Sequence, residues 1–356
     1  MTEVNRRIWI NGRWTSQRIT GTQRYAAEMM RAMDPADAAR CVVALPADAD
    51  PPPWLTERFT CVRSRFSGMF FEQVWLPLRS WGHTLISMSG PAPVLKRRQV
   101  VVMHDASVRR IPEAFSTGFR LWYEALYRLI SRGPARLVTV SEFSAGEVAD
   151  WLGVPADRFH VVPCGAEHVD DIVPDASIAD RLPDAPFALT VGSRAPHKRT
   201  ALVVDQFTAT GAHLVVVGAA PSARVLRTDM PEAHTEHAGN IHYLGRVTDA
   251  ELAYLYRHAG ALLMPSVYEG FGIPVVEAQR LGCPVICAGN ASLPEVAGDA
   301  AIMVSDRGER TYAAEFAVLS NDSPARARLR ERGAANARRY SWRDGARRLL
   351  DLARSR

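Results

Sequence analysis

The chain has 356 residues, enough for two domains, and its 47% hydrophobic and 23% charged residues exclude a wholly disordered protein. The net charge is +5, and residues 321–356 carry eleven Arg against four acidic residues. A solvated pair of helices is the favoured interpretation of this basic end, and attraction to anionic lipid or phosphate is the alternative. Nucleic acid is not expected as a partner, because no basic stretch is interleaved with aromatic residues in a known binding motif.

The sequence also limits the expected location and the metal chemistry. No apolar run approaches the roughly 18 residues needed to span a bilayer, and residues 1–12 lack the apolar core of a secretory signal. The five cysteines are an odd number without a C-x-x-C pair, which argues against a disulfide framework or a zinc site. We therefore expect a cytoplasmic protein whose cysteines are small core residues.

Short apolar runs typical of β-strands alternate with helical patterns along the chain. Thr248 and Glu251 have the spacing of a helix-capping box, as do Ser144 and Glu147. Continuous apolar strands that alternate with helices predict an α/β fold in which parallel sheets are covered on both faces. In chain order, the predicted strands are residues 7–10, 41–45, 100–103, 137–140, 160–162, 188–191, 214–217, 241–244, 261–264, 285–287 and 302–304.

The alternation pauses once, in a polar stretch at residues 165–186 that is rich in Asp and broken by two prolines. Such a composition is typical of a linker, which we place at residues 171–186. The sequence therefore predicts two doubly wound, Rossmann-like parallel-sheet domains, residues 1–170 and 187–340, that face a central cleft. Ligands of such sheets bind outside the carboxyl ends of the strands.

The most informative segment is residues 265–278, PSVYEGFGIPVVEA, which follows a predicted strand. Gly272 and the glycine two residues before it allow close approach of the backbone to a ligand. Pro274 suits the start of a helix, whose N–H groups attract an anion. Glu269 and Glu277 flank this helix start, and a diphosphate between two carboxylates suits a nucleotide sugar. A plain strand–helix turn with surface acids is the alternative, which the spacing alone does not exclude.

A cationic element follows the predicted strand at residues 188–191. Gly192 and Ser193 lead into Arg194 and Lys198, which places cations at the carboxyl end of the strand, where a leaving diphosphate needs them. Lys198 is one of only two lysines among forty-three basic residues. An ordinary solvated loop is the alternative interpretation.

Several motifs together resemble glycosyltransferase family 4, whose members are retaining enzymes with the two-domain GT-B fold. The Glu-x7-Glu element from Glu269 to Glu277 is similar to that of the family, and the likeness extends from Gly21 to about Trp342. By this resemblance, residues 341–356 form a closing helix that packs back on the first, acceptor-side domain. The other similar segments are GTQRY at 21–25, VMHD at 102–105, VTVSEFS at 138–144, VVPCG at 161–165, VGS at 191–193 with PHK at 196–198, and YSW at 340–342.

The resemblance also implies roles for individual residues. Glu277 is expected to hold the ribose hydroxyls, and Glu269 the hydroxyls of the transferred sugar. Lys198 with Arg194 is expected to neutralise the diphosphate. The other donor-binding residues are expected to be Gly192 and Ser193 of the phosphate-binding loop, Gly21 of the first domain, and the backbone of Phe271, Gly272 and Ile273.

His104 is expected to face the donor sugar near the acceptor, although outside the resemblance a lone strand-end histidine is more often structural. Two positions depart from the family pattern. A single Gly21 stands where many members have a glycine pair, and Arg199 stands where Asn or Gly is common. Arg194 is offset from the position at which some members carry the phosphate-binding arginine.

Two metal-like patterns are discounted. The Asp-x-Asp at residues 48–50 resembles the metal site of a different transferase fold, but it precedes three prolines in a predicted surface loop. His234, His237 and His242 lack the partner cysteines or carboxylates of a zinc site. We therefore expect no metal and no cofactor, with a nucleoside-diphosphate sugar as co-substrate.

Residues 63–81 combine aromatic and large apolar side chains with arginines. An aromatic helix with flanking arginines is typical of a membrane interface. The same side chains are equally typical of the core of the first domain or of a wall of the acceptor cleft, and both interpretations stay open. Enzymes that resemble this chain often extend lipid-linked glycans at the cytoplasmic membrane face, which favours peripheral contact with anionic membrane.

The resemblance to the family implies a retaining hexosyltransferase of polysaccharide assembly, similar to bacterial mannosyltransferases. The expected donor is GDP-mannose, and the expected acceptor is a growing glycan on a polyprenyl-diphosphate carrier at the inner face of the cytoplasmic membrane. A GT-B-fold sugar-nucleotide epimerase is one alternative. A catalytically silent sugar-nucleotide-binding protein is another, although the intact set of Glu269, Glu277 and Lys198 argues against it.

Overall fold

The structure is a computed structural model that describes residues 7–192, 195–218, 239–305 and 310–355. Contacts between residues divide the chain into two compact units, each with one parallel sheet. The first unit consists of Met1–Ala106, Gly118–Cys164 and Ser341–Arg356, and the second consists of Ser107–Thr117 and Gly165–Tyr340.

The elements follow one another in strand–helix alternation. In chain order, the strands are β1 Ile8–Asn11, β2 Cys41–Leu45, β3 Thr60–Arg63, β4 Thr84–Ser87, β5 Gln99–Val102, β6 Arg136–Thr139, β7 Phe159–Val161, β8 Phe187–Val191, β9 His213–Val217, β10 Ile241–Gly245, β11 Ala261–Met264, β12 Val285–Ala288 and β13 Ile302–Val304. The α-helices are α1 Gly21–Arg31, α2 Pro35–Ala38, α3 Pro53–Arg58, α4 Gly68–Phe70, α5 Leu76–Arg79, α6 Ser107–Arg110, α7 Thr117–Arg132, α8 Glu142–Leu152, α9 Thr200–Thr210, α10 Asp249–His258, α11 Ile273–Arg280, α12 Leu293–Ala297, α13 Tyr312–Asn321, α14 Ser323–Ala337 and α15 Trp342–Arg354.

The sheet of the first unit has the order β3-β2-β1-β4-β5-β6-β7, and all of its strand pairs are parallel. Ile8 at the start of β1 is in register with Cys41 of β2 on one side and with Thr84 of β4 on the other. Strands β1, β2 and β5 are buried along their whole length, as expected for a sheet covered on both faces. The strand order reverses between β1 and β4, which makes this the switch point of a doubly wound sheet.

The sheet of the second unit has the order β10-β9-β8-β11-β12-β13 and is also parallel throughout. Its switch point lies between β8 and β11, where Ala188 is in register with Ala261. Phe207 of α9 and Phe316 of α13 pack in the core of this unit against Leu214. The predicted α/β class with two doubly wound parallel sheets is confirmed, and the loops after β8 and β11 occupy the position where such sheets bind ligands.

Two strands, β3 and β4, were not predicted. Strand β3 lies at the sheet edge, and its side chains are exposed or only half-buried, so it lacks the continuous apolar run of a central strand. Strand β4 begins and ends with the hydroxyl residues Thr84 and Ser87, which shorten its apolar signal to two residues.

One of the two predicted capping boxes is confirmed and the other is wrong. The Thr248 hydroxyl accepts from the backbone N–H of Glu251 at 3.1 Å, and the Glu251 carboxylate accepts from that of Thr248 at 2.6 Å. At α8 the cap is Ser141, whose hydroxyl accepts from the Ser144 N–H at 3.0 Å. Helix α8 therefore begins three residues earlier than the Ser144 pattern predicted.

Residues 63–81 divide between the core and the surface. A π-helical turn, Phe71–Trp75, joins α4 to α5. Phe71 and Leu76 are fully buried and pack in the core cluster of the first unit, whereas Phe70, Leu78 and Trp81 are 68%, 66% and 79% exposed. The core interpretation is therefore correct for one face of this helical run, and the other face presents apolar side chains to the surface. No helix in the described ranges is long and apolar enough to cross a membrane.

The segment expected to be a linker, residues 171–186, belongs to the second unit and hydrogen-bonds to other elements of that unit. It contains a short 3-10 helix, Ala176–Arg181. Asp175 N donates to Ala250 O at 3.0 Å, and Arg181 Nη2 donates to Leu244 O at 2.7 Å.

The C-terminal helix α15 belongs to the first unit and packs on α1. A Cβ at Gly345 of α15 would lie 2.5 Å from Met29 Cε, so a larger residue there would require the Met29 side chain of α1 to shift. The rings of Trp342 and Tyr25 meet edge to face, with centroids 5.8 Å apart.

Candidate active site

In the second unit, the loops after β8 and β11 are joined by an ion pair. Lys198 Nζ donates to both carboxylate oxygens of Glu269, at 2.6 Å and 2.8 Å. Val267 N donates to His197 O at 2.9 Å, so the two loops are also linked through the backbone. Because β8 and β11 are neighbours in a parallel sheet, their carboxyl ends bring these loops to the same edge. The structure therefore brings together the cation and the carboxylate that the sequence placed 71 residues apart.

The loop before α11 has a backbone shape that requires glycine. Gly272 has φ +96°, in the left-handed region, and a Cβ at this position would lie 2.9 Å from Leu293 Cδ2. Gly272 is the N-cap of α11, whose first residue is Ile273 and whose second is Pro274. A helix N-terminus carries a partial positive charge, so this loop can receive an anion next to Lys198.

Ser292, which was not predicted from the sequence, hydrogen-bonds to the backbone of this loop. Its buried hydroxyl lies 2.9 Å from Glu269 O and 3.0 Å from Phe271 O, and it donates its one proton to either carbonyl. Ser292 follows β12, the strand next to β11. The hydroxyl therefore fixes the backbone between Glu269 and the helix start.

Glu277 lies in α11 and is buried, with both carboxylate oxygens engaged. His168 Nε2 lies 3.0 Å from Oε1, and the Tyr256 hydroxyl donates to Oε2 at 3.1 Å. Since a carboxylate accepts, the Nε2 of His168 carries a proton. His168 and Tyr256 were not predicted from the sequence, because they lie 109 and 21 residues from Glu277 and belong to no local pattern.

The strand ends beside this site also approach each other closely. Gly218, which follows β9, has φ +139°, and a Cβ there would lie only 1.7 Å from Gly192 O. Gly192 N donates to Val217 O at 3.0 Å. A glycine at 218 is therefore a requirement for the position of Gly192.

Arg199, which departs from the family pattern, ends the 3-10 helix Pro196–Lys198 and caps α9. Its backbone is left-handed, with φ +47° and ψ +33°. This conformation suits Gly or Asn better than other residues. The family preference for Asn or Gly at this position thus has a physical reason in the turn that follows Lys198.

In the first unit, His104 follows β5 and is half-buried. Its Nε2 donates to Met88 O at 2.7 Å, and its ring meets the edge of Tyr25 with centroids 5.0 Å apart. Burial lowers the pKa of His104, while the hydrogen bond to Met88 O and the neighbouring Asp105 act in the opposite direction. The neutral imidazole is therefore favoured, with its proton on Nε2.

Gly21 is the first residue of α1, whose N-cap is Thr20. No heavy atom lies within 4 Å of a Cβ built at Gly21, so the space beside this residue is open.

Ser193 and Arg194 lie outside the described residues, as do His234 and His237. His242 lies in β10 and contacts the ring nitrogen of His213 at 3.1 Å. The described ranges contain no group of three His, Cys, Asp or Glu side chains placed to hold a metal ion. The Asp-x-Asp pattern at residues 48–50 is a surface turn in which the Asp48 carboxylate accepts from the Ser67 hydroxyl at 2.8 Å.

Comparison with known proteins identifies the family. The family described as Glycosyltransferase Family 4 matches residues 19–169, and the family described as Glycosyl transferases group 1 matches residues 177–336. The O-antigen chain mannosyltransferase B of Escherichia coli is 32% identical over 260 residues, which cover 69% of this chain and 67% of that protein. The chain belongs to glycosyltransferase family 4. It is therefore a glycosyltransferase, and its likeness to O-antigen enzymes shows a role in glycan assembly.

Other relatives of this glycosyltransferase agree with the assignment. The serotype-specific mannosyltransferase WbdA of Escherichia coli is 25% identical over 289 residues, which cover 74% of the chain but only 34% of WbdA. The chain therefore spans about a third of that relative.

Solved structures of glycosyltransferases share the GT-B fold of two Rossmann-like domains with this enzyme. WaaG, a glycosyltransferase involved in lipopolysaccharide biosynthesis, matches with a TM-score of 0.71 at 16% identity over 97% of this chain and 99% of WaaG. Anabaena HepE in complex with UDP and glucose matches with a TM-score of 0.75 at 14% identity over 98% and 99% of the two chains. At these identities the likeness establishes the fold alone.

Proposed function

We propose that this enzyme transfers mannose from GDP-mannose to a growing glycan, with retention of configuration and without a metal ion. The second unit would hold the donor, and the first would provide the acceptor side. The observation that carries the proposal is the Lys198–Glu269 pair beside the glycine-dependent start of α11. The mannose assignment is supported by relatives that are themselves named mannosyltransferases.

The donor's diphosphate would take the place beside Lys198 and the N-terminus of α11. As the bond between sugar C1 and the phosphate oxygen breaks, negative charge develops on the diphosphate. The ammonium of Lys198 and the backbone N–H group of Ile273 would stabilise this charge without a metal. Arg194 is proposed as a second cation, and Gly192 and Ser193 as the loop that lies along the phosphates.

The two carboxylates would hold opposite ends of the donor. Glu277 is proposed to accept from the ribose hydroxyls, with its carboxylate oriented by His168 and Tyr256. Glu269 accepts from hydroxyls of the hexose once Lys198 turns to the diphosphate. Ser292 keeps the loop in place during this exchange of partners.

The acceptor hydroxyl would attack C1 on the face from which the diphosphate leaves. A new bond forms between the acceptor oxygen and C1, and the proton of the hydroxyl passes to the departing phosphate oxygen on that same face. His104 is proposed to contact the donor sugar near the acceptor, in its neutral form. Gly21, with open space beside it, is proposed to lie against the phosphates.

We also propose that the acceptor is carried by a polyprenyl diphosphate and that the enzyme works in peripheral contact with an anionic membrane. The exposed face of residues 63–81 supports this, because Phe70, Leu78 and Trp81 are large apolar side chains at the surface. Arginines beside such side chains attract anionic headgroups.

The test is incubation of the purified enzyme with labelled GDP-mannose, GDP-glucose, UDP-glucose and dTDP-glucose, each with and without a lipid-linked glycan. Transfer from GDP-mannose that requires the acceptor and gives an α-linked product is expected. Conversion of the free donor to an epimer without acceptor would instead show an epimerase. A product of inverted configuration would refute the retaining mechanism.

A further inference from the structure

A cavity of about 860 Å³ opens in the first unit, away from the candidate active site. It is lined by residues at the amino ends of the strands, including Gln99 at the start of β5 and Arg136 at the start of β6. His104 follows the carboxyl end of β5, and three residue steps along this strand span about 10 Å. The cavity therefore lies at the edge of the sheet opposite to the one where sugar transfer is expected.

The mouth of the cavity is apolar and uncovered. Four of its lining side chains are large, apolar and exposed: Val74 is 48% exposed, Leu78 66%, Trp81 79% and Leu95 83%. Apolar side chains gathered at the opening of a cavity mark a binding site rather than a scattered surface. The volume also lies within the roughly 300–1,000 Å³ of ligand pockets.

Hydrogen bonds connect the walls of the cavity, so the cavity is already formed before a ligand binds. Gln73 Nε2 donates to Ala92 O, and its Oε1 accepts from Val94 N, both at 3.1 Å. The buried Lys96 donates to Ser80 O at 2.5 Å. These bonds tie residues 68–80, the helical run with its C-cap, to the segment before β5.

The charged side chains that line the cavity are Lys and Arg, so they are positive. Arg97 and Arg98 are exposed at its edge, and Arg136 is half-buried beside them. No Asp or Glu belongs to the lining that the described residues form. An occupant with an apolar chain and an anionic head would match both the apolar mouth and the basic rim.

We propose that this cavity binds one acyl chain of an anionic membrane phospholipid, with the lipid phosphate held by Arg97 and Arg98. The bound lipid does not react, because it lies at the opposite sheet edge from His104, and it anchors the first unit on the membrane. This inference rests on the proposed membrane contact but adds a specific site to it, distinct from general adsorption of the aromatic face.

The direct test uses a short-chain lipid in the absence of vesicles. Dihexanoyl phosphatidylglycerol below its critical micelle concentration is titrated into the full chain by calorimetry, with dihexanoyl phosphatidylcholine and inorganic phosphate as comparison ligands. One saturable site for the anionic lipid, with much weaker binding of the other two, is expected. Failure of the anionic lipid to saturate, or equal binding of phosphate alone, would overturn the inference.

Matched variants then locate the site. Arg97→Glu should weaken binding of the short-chain lipid about tenfold, the effect of losing a charge-assisted hydrogen bond. Arg79→Glu makes the same charge change at an exposed position in α5, outside the lining, and should change affinity by less than about threefold. Leu78→Asp in the lining is paired with Phe70→Asp outside it in the same way. Equal effects within each pair would contradict the assignment to the cavity.

Co-sedimentation with phosphatidylglycerol vesicles separates this inference from the membrane contact on which it rests. If the wild type binds vesicles, Leu78→Asp and Phe70→Asp weaken that binding equally, and the short-chain lipid does not bind, the membrane contact stands and the cavity site is refuted. If neither vesicles nor short-chain lipid bind, both proposals fail. Circular dichroism and thermal melting of each variant confirm that it is folded.

Discussion

Lys198 Nζ lies 2.6 Å and 2.8 Å from the two carboxylate oxygens of Glu269. The two residues that we propose contact the diphosphate and the sugar are thus paired with each other. On this proposal, donor binding would replace the ion pair by one contact from each residue to the donor. Substituting Lys198 should therefore weaken binding of the nucleotide, whereas substituting Glu269 should weaken binding only when the sugar is present.

Lys198→Met should weaken binding of GDP about tenfold or more, because it removes a charge-assisted contact to the diphosphate. The measurement is calorimetry with GDP alone. Arg257→Met is the control, since it removes an exposed positive charge from α10 of the same unit. Equal GDP affinity of the Lys198 variant and the control would show that Lys198 does not contact the diphosphate.

Two glycines in the candidate site should respond to alanine in opposite ways. Gly272→Ala places a Cβ in a left-handed backbone and 2.9 Å from Leu293 Cδ2, so it should lower the free energy of unfolding by about 1–2 kcal/mol. Gly21→Ala meets no atom within 4 Å and lies in the first turn of α1, so stability should be unchanged or higher by up to about 0.5 kcal/mol.

The same Gly21→Ala variant should nevertheless lose donor affinity, because the added methyl group occupies the space proposed for the phosphates. Thermal unfolding and GDP-mannose titration of both glycine variants separate stability from binding. A Gly21→Ala enzyme with normal stability and undiminished donor affinity would refute the close approach at this residue.

Stability should depend on pH through Glu72, which is fully buried beside Arg13. Burial raises the pKa of Glu72 to about 7, although Arg13 acts against this. In the unfolded chain the pKa of a Glu is about 4.3. The folded state therefore binds the proton more tightly, and the stability this provides is complete below pH 4.3 and is lost as pH rises through about 7.

The glutamine side chain of the Glu72→Gln variant stays neutral at every pH, so the variant does not lose stability as pH rises through about 7. Relative to wild type, the variant's free energy of unfolding should rise by roughly 2–3 kcal/mol between pH 5 and pH 8. Denaturant unfolding across this range measures the difference. Glu57→Gln, an exposed position on α3, is the control and should follow the wild type. A Glu72→Gln profile parallel to that of the wild type would contradict the raised pKa.

Sugar transfer should persist after chelation with EDTA, because Lys198 and the start of α11 supply the positive charge that the leaving diphosphate requires. Initial rates are measured before and after chelation and after addition of magnesium or manganese. Abolition by EDTA with rescue by either metal would refute the metal-free mechanism.

The central strands were predictable because their apolar runs are continuous, as in β2, which was predicted with its observed bounds. Edge strand β3 was missed because burial on both faces, the source of that signal, does not apply to it. The start of α8 was misplaced because Ser141 and Ser144 both precede suitable helical residues, and only the folded backbone selects between them.

The candidate site was predictable only where its residues follow strands or belong to a local motif. Lys198 and Glu269 each follow a strand, but the adjacency of β8 and β11 that brings them into contact is a property of the sheet order. His168, Tyr256 and Ser292 reach the site by tertiary packing and have no local signature. That these residues orient Glu277 and the loop before α11 could be recognised only from the structure.

The central claim is that Glu277 contacts the ribose of the donor and Glu269 contacts its hexose. The most direct test is calorimetry with GDP and with GDP-mannose on the wild type, Glu277→Ala and Glu269→Ala. Glu277→Ala should weaken the binding of both ligands by roughly 1–3 kcal/mol, because the hydrogen bonds to ribose are lost. Glu269→Ala should leave GDP binding nearly unchanged and weaken only GDP-mannose. If the two substitutions weaken GDP equally, or if only Glu269→Ala weakens it, the assignment of ribose to Glu277 and hexose to Glu269 is contradicted.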